Sequence, residues 1–446
     1  MKKWLIAFVC AALPLCVAAQ QNWKAVMRYD RQSAKTALTE RLTRYVKYDT
    51  ASDPTSAQVP STKGQLTFGK VLAKELKRIG AQNVKIGKTG IVTAEIPATT
   101  AQEAPTVAFV AHMDSVSSTG KNTEAHLHAK YRGGNLVLNS SKNLYLTEQA
   151  NPQLFYARGH DLLTASGETS LGADGKAGIA ILMTLADYLL GNTNIEHGLI
   201  KIAFVPDGQL PSAHTLDTAA IGADYAYALS GANAGEIVVE NFNKRSFTAI
   251  FNGERGVPVG AAMNTAFADN LLMASDFHTL LPRHRRPETT SSAQGFIYVN
   301  DIQTQGNRST VKGDIYAFSE AELAELTDIV DQSFKTVKAM NPKNKGVELA
   351  FTDSYKNAKD ITPAPLLAVL EQAMTAEEIS PKHISARGNT LAAALSFKGL
   401  PTAGLFAGVF NPSDLTEYAD IDIMEASLRT LLSASVHWSQ HPKTQP

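Results

Sequence analysis

Val107-Ala108-Phe109-Val110-Ala111-His112-Met113-Asp114 is the stretch on which the fold turns. Five apolar residues run without alternation and then give way to a histidine and, two residues on, an aspartate. A strand with one wet face alternates apolar and polar side chains. An unbroken apolar run predicts a strand covered on both faces, as in a parallel sheet flanked by helices. In an open α/β sheet, ligands gather beyond the carboxyl ends of the strands, so His112 and Asp114 stand where a site is expected. The His-x-Asp spacing suits a metal ligand oriented by a carboxylate. It suits equally a hydrogen-bonded histidine at a strand end.

The neighbouring segments extend the pattern. Phe68, Leu72, Leu76 and Ile79 fall at helical spacing, with Thr62 and Gln65 as a capping box and Gly80 as the stop. Lys176 to Leu190 reads as an apolar helix ended by Gly191. Residues 200–205 and 225–229 read as two more buried strands. Strands separated by helices predict an α/β domain with a mostly parallel sheet. Near Lys244 the pattern changes. Strands are predicted at 246–252, 295–300, 310–318 and 346–352, with helices at 259–275 and from Ser319 to about Met340. Ser319 and Glu322 form a second capping box. This βαββαβ order is the ferredoxin-like split motif. It predicts a compact second domain at 244–356, inserted between the two parts of the main domain, 20–243 and 357–446. After Lys356 the α/β pattern resumes, with a strand at 402–407 and a closing helix at 423–438.

Composition narrows the class. The chain has 446 residues, 44% hydrophobic and 19% charged, which excludes disorder and supplies a core. Lys+Arg and Asp+Glu are both 42, so the basic excess of a nucleic-acid or membrane-surface binder is missing. Lys2 and Lys3, an apolar run to Val17 and the small residues Ala18 and Ala19 read as a secretory leader cut before Gln20. That predicts export, to the periplasm or beyond, of a chain of 446 − 19 = 427 residues. Cys10 and Cys16 both lie in the leader. No other apolar run reaches the roughly 18 residues of a membrane span. Two further features stay open on the residues alone. Asp174, in Gly172-Ala173-Asp174-Gly175-Lys176, is placed either to cap the following helix or to bridge metals. Pro282-Arg283-His284-Arg285-Arg286-Pro287 is either a solvated basic loop or a place for an anion.

Several segments together resemble peptidase T, a tripeptide aminopeptidase of the co-catalytic zinc exopeptidases. They are Gln58-Val59-Pro60-Ser61-Thr62, Tyr131-Arg132-Gly133-Gly134, Leu171-Gly172-Ala173-Asp174, Lys176-Ala177-Gly178-Ile179-Ala180, Glu240-Asn241-Phe242-Asn243 and Leu395-Ser396-Phe397-Lys398-Gly399-Leu400-Pro401. They run in order through nearly the whole chain, and the family has the same inserted βαββαβ unit. The resemblance implies two zinc ions, with His112 as a ligand, Asp174 as the bridge and Asp114 as the orienting carboxylate. It also places the general base at Gly208 and the remaining zinc ligands at Gln209, Ser230 and Thr416, none of which carries the family's side chain. On the substrate side Arg387 and Gly388 survive and Asn264 is a further candidate. Val257-Pro258-Val259 replaces a His-Pro-Gly, Tyr316 falls near a substrate-binding Arg, and Leu391 replaces an Asp.

Catalytic zinc needs about three protein ligands and a water, and neutral Gln and Ser oxygens are poor zinc ligands. The expectation is therefore an exported protein of peptidase T fold with zinc absent or weakly held, binding a peptide or protein partner without hydrolysis. Two alternatives are an active tripeptide aminopeptidase with a single-metal or rearranged site using Asp207, Asp414 or Glu417, and a structural or regulatory subunit that dimerises through the inserted domain.

Overall fold

The computed structural model describes residues 29–115, 123–210, 216–253, 269–291, 293–342, 344 and 346–443. The leader, Asn264 and the segment 257–259 lie outside the described residues. The chain divides into two compact units. The first comprises Met1–Val239, Ile361–Ile384 and Thr390–Pro446; the second comprises Glu240–Asp360 with Ser385–Asn389.

The first unit opens with α1 (Arg31–Tyr45), α2 (Lys63–Arg78), β1 (Gln82–Ile86), β2 (Val92–Ile96) and β3 (Val107–His112). Four short strands follow, β4 (Ala125–His128), β5 (Leu136–Asn139), β6 (Leu144–Leu146) and β7 (Leu162–Ala165). Then come α3 (Lys176–Gly191), β8 (Ile200–Val205), α4 (Thr218–Ile221), β9 (Tyr225–Leu229) and β10 (Glu236–Asn241). The second unit holds β11 (Asn243–Asn252), α5 (Asn270–Leu280), β12 (Phe296–Gln305), β13 (Arg308–Ala317), α6 (Glu320–Met340) and β14 (Val347–Tyr355). The chain closes with α7 (Ala364–Ala376), β15 (Lys382–Ala386), α8 (Leu391–Phe397), β16 (Thr402–Leu405), β17 (Val409–Phe410), β18 (Tyr418–Asp420) and α9 (Ile421–Ser439).

The central sheet has the order β1-β2-β8-β3-β9-β16-β10-β15. β3 pairs in parallel with β8 and β9, and β9 with β16. Every residue of β3 is buried, as its unbroken apolar run requires. Three of the remaining pairings are antiparallel, β1 with β2, β2 with β8 and β10 with β16. α3 packs on β3, and α9 packs on α1, α3 and α7. Within this core the Tyr227 hydroxyl donates to the Leu366 carbonyl at 2.8 Å and accepts from Trp438 Nε1 at 3.0 Å.

The second unit is a four-stranded antiparallel sheet of order β12-β13-β11-β14 with its own core, in which Phe247, Phe251, Phe277 and Phe334 meet. Its elements follow the βαββαβ order. The helix expected at 259–275 is described only as α5, Asn270–Leu280, capped by the Asp269 carboxylate on the N–H groups of Leu271 and Leu272. Among the described residues no helix is long and apolar enough to cross a membrane.

The expected Thr62–Gln65 capping box is not made and the Ser319–Glu322 box is half made, because tertiary partners claim the side chains. Gln65 turns from the α2 backbone to Asp207, and Thr62 donates to the Ala51 carbonyl. Ser319 does accept from the Glu322 N–H, but the Glu322 carboxylate takes the Gly295 N–H and Arg285 instead.

The N-terminus of α9 is tied to α1 by charge. Asp420 caps Asp422 and Ile423 through their N–H groups and lies 2.7 Å from His160 Nδ1. Lys35 bridges Asp161 at 2.8 Å and Asp422 at 2.9 Å. The hydrogen bond to Asp420 raises the His160 pKa against the opposing effect of burial. A raised histidine contributes stability that is full below its ordinary pKa of about 6.5 and fades as pH climbs through the raised value. His160→Gln should therefore cost stability in urea unfolding at pH 6 and much less at pH 9. An equal loss at both would refute the link.

Candidate active site

The site begins where β3 ends. His112 is 3% exposed and Asp114 fully buried. His112 Nδ1 lies 3.0 Å from the Asp114 carbonyl oxygen and 3.4 Å from its Oδ1. On the other edge of the ring, Nε2 is 3.4 Å from Asp174 Oδ1 and 3.3 Å from the Gln209 amide nitrogen, which itself hydrogen-bonds Asp174. The structure thus brings His112, Asp114, Asp174, Gly208 and Gln209 together. Burial works to lower the His112 pKa, but the Asp174 and Asp114 carboxylates outweigh it and push the imidazole up to about 10.

Two glycines close on the ring. Gly175 has φ +76°, and a Cβ there would stand 2.4 Å from the His112 carbonyl and 2.5 Å from its ring. A Cβ on Gly208 would stand 2.6 Å from His112 Cβ. The Gly208 and Gln209 N–H groups donate to the two Asp114 oxygens at 2.8 and 3.1 Å. The carboxylate that orients His112 therefore also holds the turn after β8.

The acids weighed as replacements are occupied. Asp207, at φ +54°, accepts from the Ser61 N–H at 2.8 Å and from Gln65 Nε2 at 2.7 Å. Asp414 accepts from Thr416, by its N–H at 2.8 Å and its hydroxyl at 2.6 Å. Glu417, 1% exposed, accepts from the successive N–H groups of Gly172, Ala173 and Asp174 at 2.7, 2.9 and 3.0 Å. Burial pushes the Glu417 carboxyl up to about 7 against those three donors. Sequence reading missed this role: Glu417 fixes the backbone that carries Asp174. Beside it, Lys176 is fully buried, donates to the Tyr48 carbonyl at 2.8 Å and is pushed down by burial to about 8.

Ser230 follows β9 and donates its N–H to the Leu405 carbonyl at 2.9 Å. Thr416 stays with Asp414 and Asn411. Arg387 and Gly388 fall in the second unit. There the Arg387 guanidinium lies 5.3 Å from the Phe296 ring centre and 5.5 Å from that of Phe242, and donates to Thr290 Oγ1 at 3.0 Å. His128 pairs with Thr164 at 2.9 Å. The grouping of His160, Asp420 and Asp422 already contains the Lys35 ammonium as its positive charge.

The fit to a metal can be tested on distance. In a tetrahedral zinc site with bonds of about 2.0–2.1 Å, two ligand atoms stand about 3.3–3.4 Å apart. His112 Nε2 and Asp174 Oδ1 are 3.4 Å apart. Turning the Gln209 amide over would place its oxygen 3.3 Å from His112 Nε2 in place of the nitrogen, with the loss of its hydrogen bond to Asp174. His112, Asp174 and Gln209 could therefore hold one cation, and a second finds no comparable set among the described residues.

No family model matches the chain. Peptidase T of Geobacillus thermodenitrificans is 35% identical over 398 residues, 87% of this chain and 95% of the relative. The chain belongs to the peptidase T family. Aminopeptidase PepT from Bacillus cereus shares the fold, with a TM-score of 0.69 at 18% identity over 91% of this chain and 98% of that one. A dinuclear metal-binding peptidase of the M20 family from Bacillus subtilis shares it at a TM-score of 0.60 and 12% identity, over 91% and 98% of the two chains. That neighbour is described as binding two metal ions, in line with the family's use of metal. The expectation of export is corrected: the peptidase T relatives are cytoplasmic enzymes, and the leader-like residues lie outside the described structure.

Two substitutions test this packing. Gly208→Ala should lower stability by about 1–3 kcal/mol, the cost of overpacking a filled site. Denaturant unfolding reads it, and a neutral result would show that His112 yields freely. Glu417→Gln turns an NH2 donor or a single oxygen toward three N–H groups and should cost about 1–3 kcal/mol. That loss should appear in the same assay.

Proposed function

We propose that this chain is a short-peptide aminopeptidase of peptidase T type whose centre is reduced to one metal position, formed by His112, Asp174 and Gln209. Family membership along nearly the whole length of its relatives supports the tripeptide substrate class. The observation that carries the metal position is the 3.4 Å separation of His112 Nε2 and Asp174 Oδ1. A divalent cation there would polarise a peptide carbonyl and acidify a bound water. The chain's own residues do the positioning. Glu417 holds the 172–174 backbone, so that Asp174 faces the imidazole. Asp114 holds the N–H groups of Gly208 and Gln209, so that the Gln209 amide stands beside it. Asp174 is the one carboxylate in the set, so the cation is held weakly. Gly208 has no side chain to accept a proton, which costs about 10²–10⁴ in rate.

One observation favours a second reading, peptide binding without hydrolysis. With a Gly208 Cβ only 2.6 Å from His112 Cβ, no side chain fits at the base position while the ring keeps its place. Purified protein should release the N-terminal residue of tripeptides slowly when zinc, cobalt or manganese is added, and Asp174→Ala should abolish the release. Tripeptide binding in calorimetry with no release under any metal would establish the second reading. Neither binding nor release would sink both.

A further inference from the structure

We propose that the second unit carries a binding site for a small aliphatic α-amino acid, in the cavity between the end of α5, the turn at 282–288 and β12. The cavity measures about 120 Å³ and is walled by Leu281, Pro282, Pro287 and Ile297, with His278, Arg286, Glu288 and Tyr298 at its polar positions. An engineered cavity of about 150 Å³ accepts benzene, so this one suits a ligand of roughly that size, far below the drug-sized class.

Three features point to a zwitterion. His278 Nδ1 is buried and has no hydrogen-bond partner, a state that is costly unless a ligand supplies one. The Arg286 guanidinium and the Glu288 carboxylate line the same cavity. Neither forms an ion pair among the described residues, with each other or elsewhere, although Arg285 beside them is held by Glu322 at 3.0 Å. A cavity with an unengaged cation, an unengaged anion and a spare imidazole nitrogen matches an α-carboxylate and an α-ammonium on one small apolar body. The carboxylate would take Arg286 and His278, a charge-assisted arrangement, while the ammonium would take Glu288. The aliphatic side chain would face Leu281 and Ile297. Burial and the charges of Arg286 and Arg283 depress the His278 pKa.

The probe is L-valine, titrated calorimetrically into the full chain, with isovalerate lacking only the ammonium and isobutylamine lacking only the carboxylate. Valine should bind saturably and both analogues about tenfold more weakly or worse, the loss of roughly one charge-assisted contact. Arg286→Ala and Glu288→Gln should each weaken valine about tenfold on the same reasoning. Asp174→Ala should leave the affinity unchanged, and the His278 imidazole resonance should move on saturation. Glu288 is exposed, so its variant keeps the test intact should the Arg286 variant misfold. Valine failing to bind at tens of millimolar, isovalerate matching valine, or loss of binding in Asp174→Ala instead of the Arg286 and Glu288 variants would each overturn the proposal.

Discussion

The fit of His112 between Gly175 and Gly208 is the constraint on which the rest of the site depends. β3 is buried along its whole length between parallel neighbours, so the position of its last residue is set by the sheet and cannot drift. Two loops close on that residue so tightly that neither tolerates a Cβ without displacing the histidine. Position 208 is consequently a packing position in this chain. The glycine there and the close approach of the 206–209 turn are one structural fact.

The buried acids follow from the same constraint. A carboxylate taken out of water must find donors. Here the donors include backbone N–H groups of the loops that surround His112: residues 208 and 209 for Asp114, residues 172–174 for Glu417, and residue 61, with the Ser61 hydroxyl and the Gln65 amide, for Asp207. Each acid thereby becomes a strut for a loop and is unavailable as a substitute ligand. Asp174 differs: besides the Gly175 N–H, its partners are the side chains of His112 and Gln209. The proposed cation position rests on that difference.

The second unit has a different economy. Its core is a cluster of phenylalanines over an antiparallel sheet, and ion pairs such as Lys244 with Asp314 and Arg245 with Asp353 lie along that sheet. Arg387 reaches this unit in sequence from the far side of α7 and is held over Phe242 and Phe296. A residue inferred to meet substrate is thus positioned by aromatic faces at 5.3 and 5.5 Å and by the Thr290 hydroxyl.

What the sequence determined by itself is what local pattern encodes. The unbroken run at 107–111, the apolar helix from Lys176 and the switch to a split βαββαβ order near Lys244 all depend on the spacing of apolar residues along a few turns. The structure shows those elements at closely similar bounds. The side chains at Gly208, Gln209, Ser230 and Thr416 were equally legible, because reading a residue within a matched motif needs no geometry. What only the tertiary structure decided is where polar side chains find their partners. Gln65 leaves its helix for an aspartate 142 residues away, Glu417 binds a loop 245 residues upstream, and Gly208 owes its small size to His112 across the sheet. Those choices rest on which donors the closed fold brings within about 3 Å, and no spacing rule along the chain can specify them.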